Sequence, residues 1–269
     1  MEAGSPGAFL TEVDVRTGSS LTTREDHVAH EEPLELQLGA TSLAVLMRTP
    51  GNDVELAVGF LLTERVVESL DDIESVRHCT TVPSPEAEDN VLRIILAAGV
   101  PHPPARRFFA SSSCGVCGKA TIDAALGTTR PVAHELTVAG SVLTTLPELL
   151  RASQPLFTET GGLHGAGLFD VSGALHVVHE DVGRHNAVDK VVGAATRAGV
   201  PLHDKVLMVS GRVSFEIVQK ASAVGLSIVA GISAPTSLAV RFGEELGVTV
   251  VGFLRETSMN VYSRKHRVV

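Results

Sequence analysis

The stretch from residue 206 to residue 253, VLMVSGRVSFEIVQKASAVGLSIVAGISAPTSLAVRFGEELGVTVVGF, decides the fold, because short apolar runs alternate in it with helical segments. The pattern predicts strands at 206–209, 228–232 and 248–253, and helices at 214–224 and 237–246. Just upstream, 175–178 predicts another strand and 182–198 another helix. Strands joined through helices form crossover connections, which build parallel sheets. We therefore expect an α/β protein with a largely parallel sheet.

The first part of the chain predicts a smaller, β-rich unit. Apolar and polar residues alternate over 32–47 around Gly39 and Ala40, which indicates a hairpin. Asp53 can cap a helix that runs towards Val67, and 91–96 predicts a third strand. A Pro- and Gly-rich linker at 99–104 follows. We expect three parts: a flexible tail over 1–23, an N-terminal α+β part over 24–104, and an α/β domain over 105–269 that begins with a cysteine-containing loop.

Composition and charge narrow the function class. The net charge of -9 gives no electrostatic reason to bind nucleic acid. No uncharged apolar run approaches the roughly 18 residues of a membrane span, and the first residues lack the pattern of a signal peptide. We expect a cytoplasmic protein that binds neither nucleic acid nor membrane. With three cysteines and no export signal, a disulfide framework is not expected.

The segment SSSCGVCGK places Cys114 and Cys117 as a C-x-x-C pair in a polar, glycine-rich loop. A helix start and Lys119 next to the pair would stabilise a thiolate. The pair alone is compatible with half of a zinc site, a thioredoxin-like dithiol, a persulfide carrier or buried inert thiols. A zinc deaminase signature is broken, because Ser113 stands where Pro should precede the first cysteine.

Three loops follow predicted strands and precede predicted helices, at 180–186, 210–214 and 231–237. Such loops meet at one edge of a parallel sheet, where backbone N–H groups and helix dipoles favour anions. We expect these candidate ligand residues: Arg184, His185, Ser210, Gly211, Arg212 and Ser233. Other roles stay open: Arg184 could pair with Glu180 or Asp189, and the polar residues could merely cap helices. Lys190 and Arg255 are further candidate cations.

Five motifs together resemble the FdhD family. They are MRTPGNDVELAVGFLLTE at 47–64, FTETGGLH at 157–164, EDVGRHNAVDK at 180–190, SGRVSFEIVQK at 210–220 and GISAPTSLAV at 231–240. The resemblance covers about residues 24–262. It implies a sulfur carrier, or sulfurtransferase, that is required for formate dehydrogenase activity. Such a carrier receives sulfur from a cysteine desulfurase and passes it to the molybdenum cofactor in its Mo-bis(molybdopterin guanine dinucleotide) form, which is a bound substrate and not a permanent cofactor.

The resemblance also implies particular residue roles. Cys114 would carry the persulfide and Cys117 would be its partner, with no metal bound. The cofactor would lie against a segment after the last predicted strand, which comprises Phe253, Leu254, Arg255, Glu256, Thr257 and Ser258. A cytidine deaminase-like αβα layer, a homodimer, and contact with the formate dehydrogenase catalytic subunit are further implications. Two other functions stay open: a cofactor-binding chaperone that does not carry sulfur, and a zinc hydrolase of the deaminase type.

Overall fold

The computed structural model describes residues 7–79, 89–101, 108–110 and 131–269. Their strands are β1 (Ala8–Thr17), β2 (Ser20–Ala29), β3 (Glu32–Leu38), β4 (Thr41–Arg48), β5 (Ile73–His78), β6 (Val91–Leu96), β7 (Phe108–Ala110), β8 (His164–Phe169), β9 (Leu175–Asp181), β10 (Val206–Val209), β11 (Ile228–Gly231), β12 (Thr249–Gly252) and β13 (Asn260–Val261). Their α-helices are α1 (Asp53–Thr63), α2 (Gly140–Leu143), α3 (Leu146–Ala152), α4 (Pro155–Thr160), α5 (Arg184–Arg197), α6 (Phe215–Ala223) and α7 (Ser237–Leu246). The α/β class is therefore confirmed.

The larger sheet has the order β13-β12-β11-β10-β8-β9. Its strands β10, β11 and β12 are parallel and are joined through α6 and α7, as the alternation in the sequence predicts. The remaining pairs, β12 with β13, β10 with β8, and β8 with β9, are antiparallel. The prediction of a largely parallel sheet is therefore wrong, because β13 at one side of the parallel centre and β8 at the other run antiparallel to it.

Both faces of this sheet are covered. Along β10, Leu207 and Val209 belong to the core that includes α5, α6 and α7, whereas Val206 and Met208 belong to the core that includes α2 and α3. Helices therefore lie on both sides of the sheet. The closer resemblance to a cytidine deaminase layer stays a prediction.

The N-terminal sheet has the order β5-β6-β3-β4-β7 and confirms the predicted hairpin and the strand at 91–96. Helix α1 is apolar around most of its circumference, which is typical of a helix buried on all sides. It packs so closely on α5 that a methyl group on Gly59 would lie 1.8 Å from the carbonyl oxygen of Asp189. One continuous core consequently joins the N-terminal sheet to the larger sheet. The boundary predicted between residues 104 and 105 stays a prediction.

Residues 8–29 form an antiparallel hairpin of β1 and β2. The prediction of a flexible tail over 1–23 is wrong for residues 8–23. The prediction failed because most side chains of the hairpin are exposed, so the segment is largely polar and has no apolar periodicity that would indicate strands. Even the apolar Phe9 and Leu21 are exposed. Within the described ranges, no helix is both long enough and apolar enough to cross a membrane.

Candidate anion site at the sheet edge

The carboxyl ends of β10, β11 and β12 bring the predicted loops together. Val213 N donates to Ala234 O at 3.2 Å, and Phe253 N donates to Ser233 O at 3.1 Å. The loops that contain Ser210, Ser233 and Phe253 are therefore direct neighbours. This clustering follows from the parallel order of the three strands.

The starts of α5 and α6 contribute donors to the same edge. Within the described residues, neither helix start has a side-chain cap, whereas the Thr236 side chain caps α7 by accepting from Ala239 N. The first N–H groups of a helix carry partial positive charge and need acceptors. Helices α5 and α6 can therefore offer N–H groups to an anion at this edge.

Arg184, the first residue of α5, is the charged group best placed to hold an anion. Its Nε atom is buried and has no hydrogen-bond partner among the described residues. The two carboxylates that sequence reasoning offered as its partners are engaged elsewhere. Glu180 accepts from Leu156 N and Phe157 N, and Asp189 pairs with Lys220 at 2.9 Å. Arg184 therefore keeps donor capacity for a ligand, and exposed Arg212 lies in the adjoining loop.

His164, which starts β8, is a site residue that sequence reasoning missed. Its Nδ1 lies 3.5 Å from Ser210 Oγ, and Ser210 Oγ accepts from Gly165 N at 3.0 Å. A methyl group on Gly211 would lie 3.2 Å from His164 Nδ1 and 3.5 Å from Arg184 Cβ. Gly211 thus lets the loop pass close to both side chains. The family motif at 157–164 ends at His164 and could have indicated its role, but no strand was predicted at this position that would place it at the sheet edge.

The imidazole of His164 is held towards its neutral form. Burial lowers its pKa below the ordinary 6.5, and the nearby charges of Arg184, His185 and Arg212 lower it further, whereas Asp181 raises it. The neutral ring can donate one hydrogen bond and accept another. A neutral His164 beside Arg184 can therefore form hydrogen bonds with a ligand at this edge without adding a charge.

His185 was predicted to contact the ligand, but its Nε2 already has protein partners. This atom lies 3.2 Å from Glu216 Oε2 and 3.3 Å from Ser214 Oγ. Ser214 Oγ in turn donates to Glu216 Oε2 at 3.1 Å. The hydrogen bond from His185 is the main cause that lowers the pKa of Glu216. The three side chains join the start of α5 to the start of α6.

Two polar residues of the 180–190 motif make contacts within the folded protein and are not available to a ligand at the sheet edge. Lys190 Nζ is buried, pairs with Asp181 Oδ2 at 2.8 Å and donates to Thr49 O at 2.8 Å. The prediction of Lys190 as a ligand cation is therefore wrong. Asn186 Nδ2 donates to Asp181 Oδ1 at 2.9 Å and to Met47 O at 2.7 Å. Both side chains tie α5 to the end of β4.

The segment from Phe253 to Ser258 continues the edge after β12. Phe253 has the left-handed backbone angle φ 51° and is 44% exposed, whereas the Leu254 side chain is fully buried in the core beneath the sheet. Because the whole Leu254 residue is buried and its backbone N–H is bonded to Gly231 O, it is not open to a ligand here, contrary to its prediction as a ligand residue. Arg255 Nη1 donates to Leu254 O at 2.8 Å and also to Ile232 O. The exposed residues that follow are Glu256, Thr257 and Ser258.

Cys114 and Cys117 lie outside the described residues. Cys79 is buried, and its Sγ accepts from Arg93 Nη2 at 3.3 Å. In the described part of the chain, no three His, Cys, Asp or Glu side chains are grouped so that they could hold a metal ion.

The architecture resembles that of a solved structure. The crystal structure of a candidate formate dehydrogenase accessory protein from Desulfotalea psychrophila matches with a TM-score of 0.80, covering 98% of this chain and 100% of that one at 24% identity. At this identity the likeness concerns the fold. The mixed α/β fold is thus shared with that protein.

Sequence comparison identifies the family. The model of the FdhD/NarQ family matches residues 29–269. The sulfur carrier protein FdhD of Mycolicibacterium paratuberculosis is 48% identical over 259 residues, covering 94% of this chain and 95% of that protein. The protein of the same name from Sulfolobus acidocaldarius is 42% identical over 245 residues, covering 91% and 92%. The chain belongs to the FdhD/NarQ family.

Proposed function

We propose that this protein is a cytoplasmic sulfur carrier that supplies a molybdenum cofactor for formate dehydrogenase. Its sulfur would come from a cysteine desulfurase, and Cys114 would hold it as a persulfide. The curated relatives named sulfur carrier proteins support this role. The family resemblance further suggests that the protein acts as a homodimer.

The ligand half of the proposal rests on one observation: among the described residues, the buried Nε of Arg184 has no partner, and it lies at an edge where two helix starts have no side-chain cap. Mo-bis(molybdopterin guanine dinucleotide) carries pyrophosphate groups. Guanidinium groups and helix N-termini bind such groups through charge-assisted hydrogen bonds. The described residues proposed to contact it are Arg184, Ser210, Gly211, Arg212, Ser233, Phe253 and Arg255.

The chemistry of the proposal is two displacements at sulfur. The Cys114 thiolate attacks the outer sulfur of the donor persulfide, a new S–S bond forms, and the donor cysteine leaves as a thiolate. In the second displacement, the Cys117 thiolate attacks the inner sulfur of the Cys114 persulfide. A Cys114–Cys117 disulfide forms, and the outer sulfur leaves with both bonding electrons as sulfide, the form in which a metal can bind it.

Intact mass spectrometry tests the sulfur half. After incubation with a cysteine desulfurase and cysteine, the wild-type protein should gain one sulfur atom that a thiol reductant removes. Cys114→Ala should gain none. Cys79→Ala is the matched control and should gain sulfur like the wild type, because Cys79 is buried beside Arg93.

One outcome would contradict the assignment of Cys114, and another would contradict the carrier role itself. If Cys114→Ala still gains sulfur, Cys114 is not the carrier residue. If the wild type gains none, while a Cys114→Ala/Cys117→Ala double variant still activates formate dehydrogenase, the protein is a cofactor-binding chaperone.

A further inference from the structure

Glu216 is a carboxylate close to the cations of the proposed anion site. It lies in the first turn of α6 and is partly buried. Arg184, His185 and Arg212 lie at the same edge, and both Arg184 and His185 lower the pKa of Glu216. A negative charge here repels a polyanionic ligand, so its presence needs a separate explanation.

The contacts of Glu216 supply one. The loop between β10 and α6 contacts two consecutive residues of α5. Gly211 lies against Arg184, and Ser214 and Glu216 hold Nε2 of His185 at 3.3 and 3.2 Å. Because Arg184 and His185 are the first two residues of α5, fixing the His185 ring restricts the helix start from which the Arg184 side chain extends.

We propose that Glu216 is a positioning residue, which acts through His185 to hold the start of α5 against the loop at Gly211 and so keeps the Arg184 guanidinium in the orientation that binds the anionic ligand. This inference rests on the proposed function, since it requires an anion at the edge. It assigns the Nε2 side of His185 to Glu216 instead of the ligand.

A local role predicts a different result. A carboxylate in the first turn of a helix stabilises that helix through the dipole, without any effect on ligand affinity beyond electrostatic repulsion. Removing that charge would then leave the affinity for an anion unchanged or increase it. A positioning role predicts the opposite sign, because the gain from reduced repulsion is outweighed by a misplaced guanidinium.

The test is calorimetric titration with GDP, which carries the guanine, ribose and phosphates of half the ligand. We expect Glu216→Gln to bind GDP roughly three- to tenfold more weakly than the wild type, although it has one negative charge fewer. The His185→Ala/Glu216→Gln double variant should bind no more weakly than His185→Ala alone. Glu245→Gln is the control and should bind like the wild type, because it removes an exposed carboxylate on a different helix, near the carboxyl end of α7.

His185→Gln provides a second variant that keeps a donor near the Nε2 position. It should retain more affinity than His185→Ala. Equal or tighter binding of GDP by Glu216→Gln, or equal affinities of His185→Gln and His185→Ala, would overturn the positioning role. If the wild type does not bind GDP at all, the ligand half of the proposed function fails and this inference fails with it. If the wild type binds and Arg184→Gln does not, but Glu216→Gln is unaffected, only the positioning role is lost.

Discussion

Lys190 Nζ lies 2.8 Å from Asp181 Oδ2, and both side chains are almost completely buried. Asp181 also accepts from Thr49 N, Gly183 N and Asn186 Nδ2. All of these groups lie where the end of β4, the end of β9 and the start of α5 meet. One buried carboxylate therefore fixes α5, and with it Arg184, relative to the N-terminal sheet.

Replacing this carboxylate should destabilise the protein strongly. In Asp181→Asn, an amide NH₂ would face Lys190 or the backbone donors, and the lysine charge would be buried without compensation. We expect a loss of about 3–5 kcal/mol in the free energy of unfolding, measured by urea denaturation. Glu245→Gln breaks the exposed Arg241–Glu245 pair and should cost less than about 0.5 kcal/mol. Equal stability of the two variants would contradict a central role for Asp181.

The contact between α1 and α5 should not tolerate a side chain. A methyl group on Gly193 would lie 1.9 Å from Glu55 O, and the corresponding distance for Gly59 is 1.8 Å to Asp189 O. Because both obstacles are backbone atoms, the helices themselves must separate. We expect Gly59→Ala and Gly193→Ala each to lose more than about 2 kcal/mol of stability. Gly140→Ala, where the nearest atom would be 3.6 Å away, is the control and should cost far less; similar losses in all three variants would refute the argument.

His164 should make stability depend on pH in mildly acidic solution. Its pKa in the folded protein is lower than the ordinary 6.5, mainly because of burial. Protonation therefore favours the unfolded chain, so the contribution is present above pH 6.5 and is lost as the pH falls through the lower folded pKa. We expect His164→Gln to reduce the fall in Tm below about pH 6.5. An unchanged slope in His164→Gln would contradict this assignment.

Replacing Phe253 with glycine should affect stability and ligand binding in opposite directions. Its left-handed backbone disfavours any residue with a Cβ by roughly 1–2 kcal/mol, which glycine would relieve at a smaller entropic cost. We expect Phe253→Gly to be at least as stable as the wild type in thermal unfolding but to bind GDP more weakly. Arg65→Gly, also at positive φ but beside the end of α6, should leave GDP affinity unchanged. Full affinity in Phe253→Gly would place its side chain outside the ligand site.

Local pattern accounts for the elements that were predicted and for those that were missed. The hairpin of β3 and β4 alternates apolar and polar residues because one face is buried. Strand β8, HGAGLF, has no such alternation, since its glycines make room for neighbours: the Gln154 side chain lies against Gly165. The hairpin at residues 8–29 could not be predicted from an apolar pattern either, because it is stabilised by pairing between two polar strands and not by a buried face.

The sequence by itself determined that β10, β11 and β12 are parallel and that their following loops share an edge. Each helix between two of these strands carries the chain back along the sheet, so the next strand runs in the same direction as the last. It also determined the C-x-x-C pair and the family. Only the tertiary structure decided which charged groups remain for a ligand. Lys190 is neutralised by Asp181 and the Asp189 carboxylate by Lys220, whereas Arg184 Nε has no partner in the described part of the chain. Such pairing joins residues from separate elements, and the burial that makes each pair strong exists only once those elements have packed together.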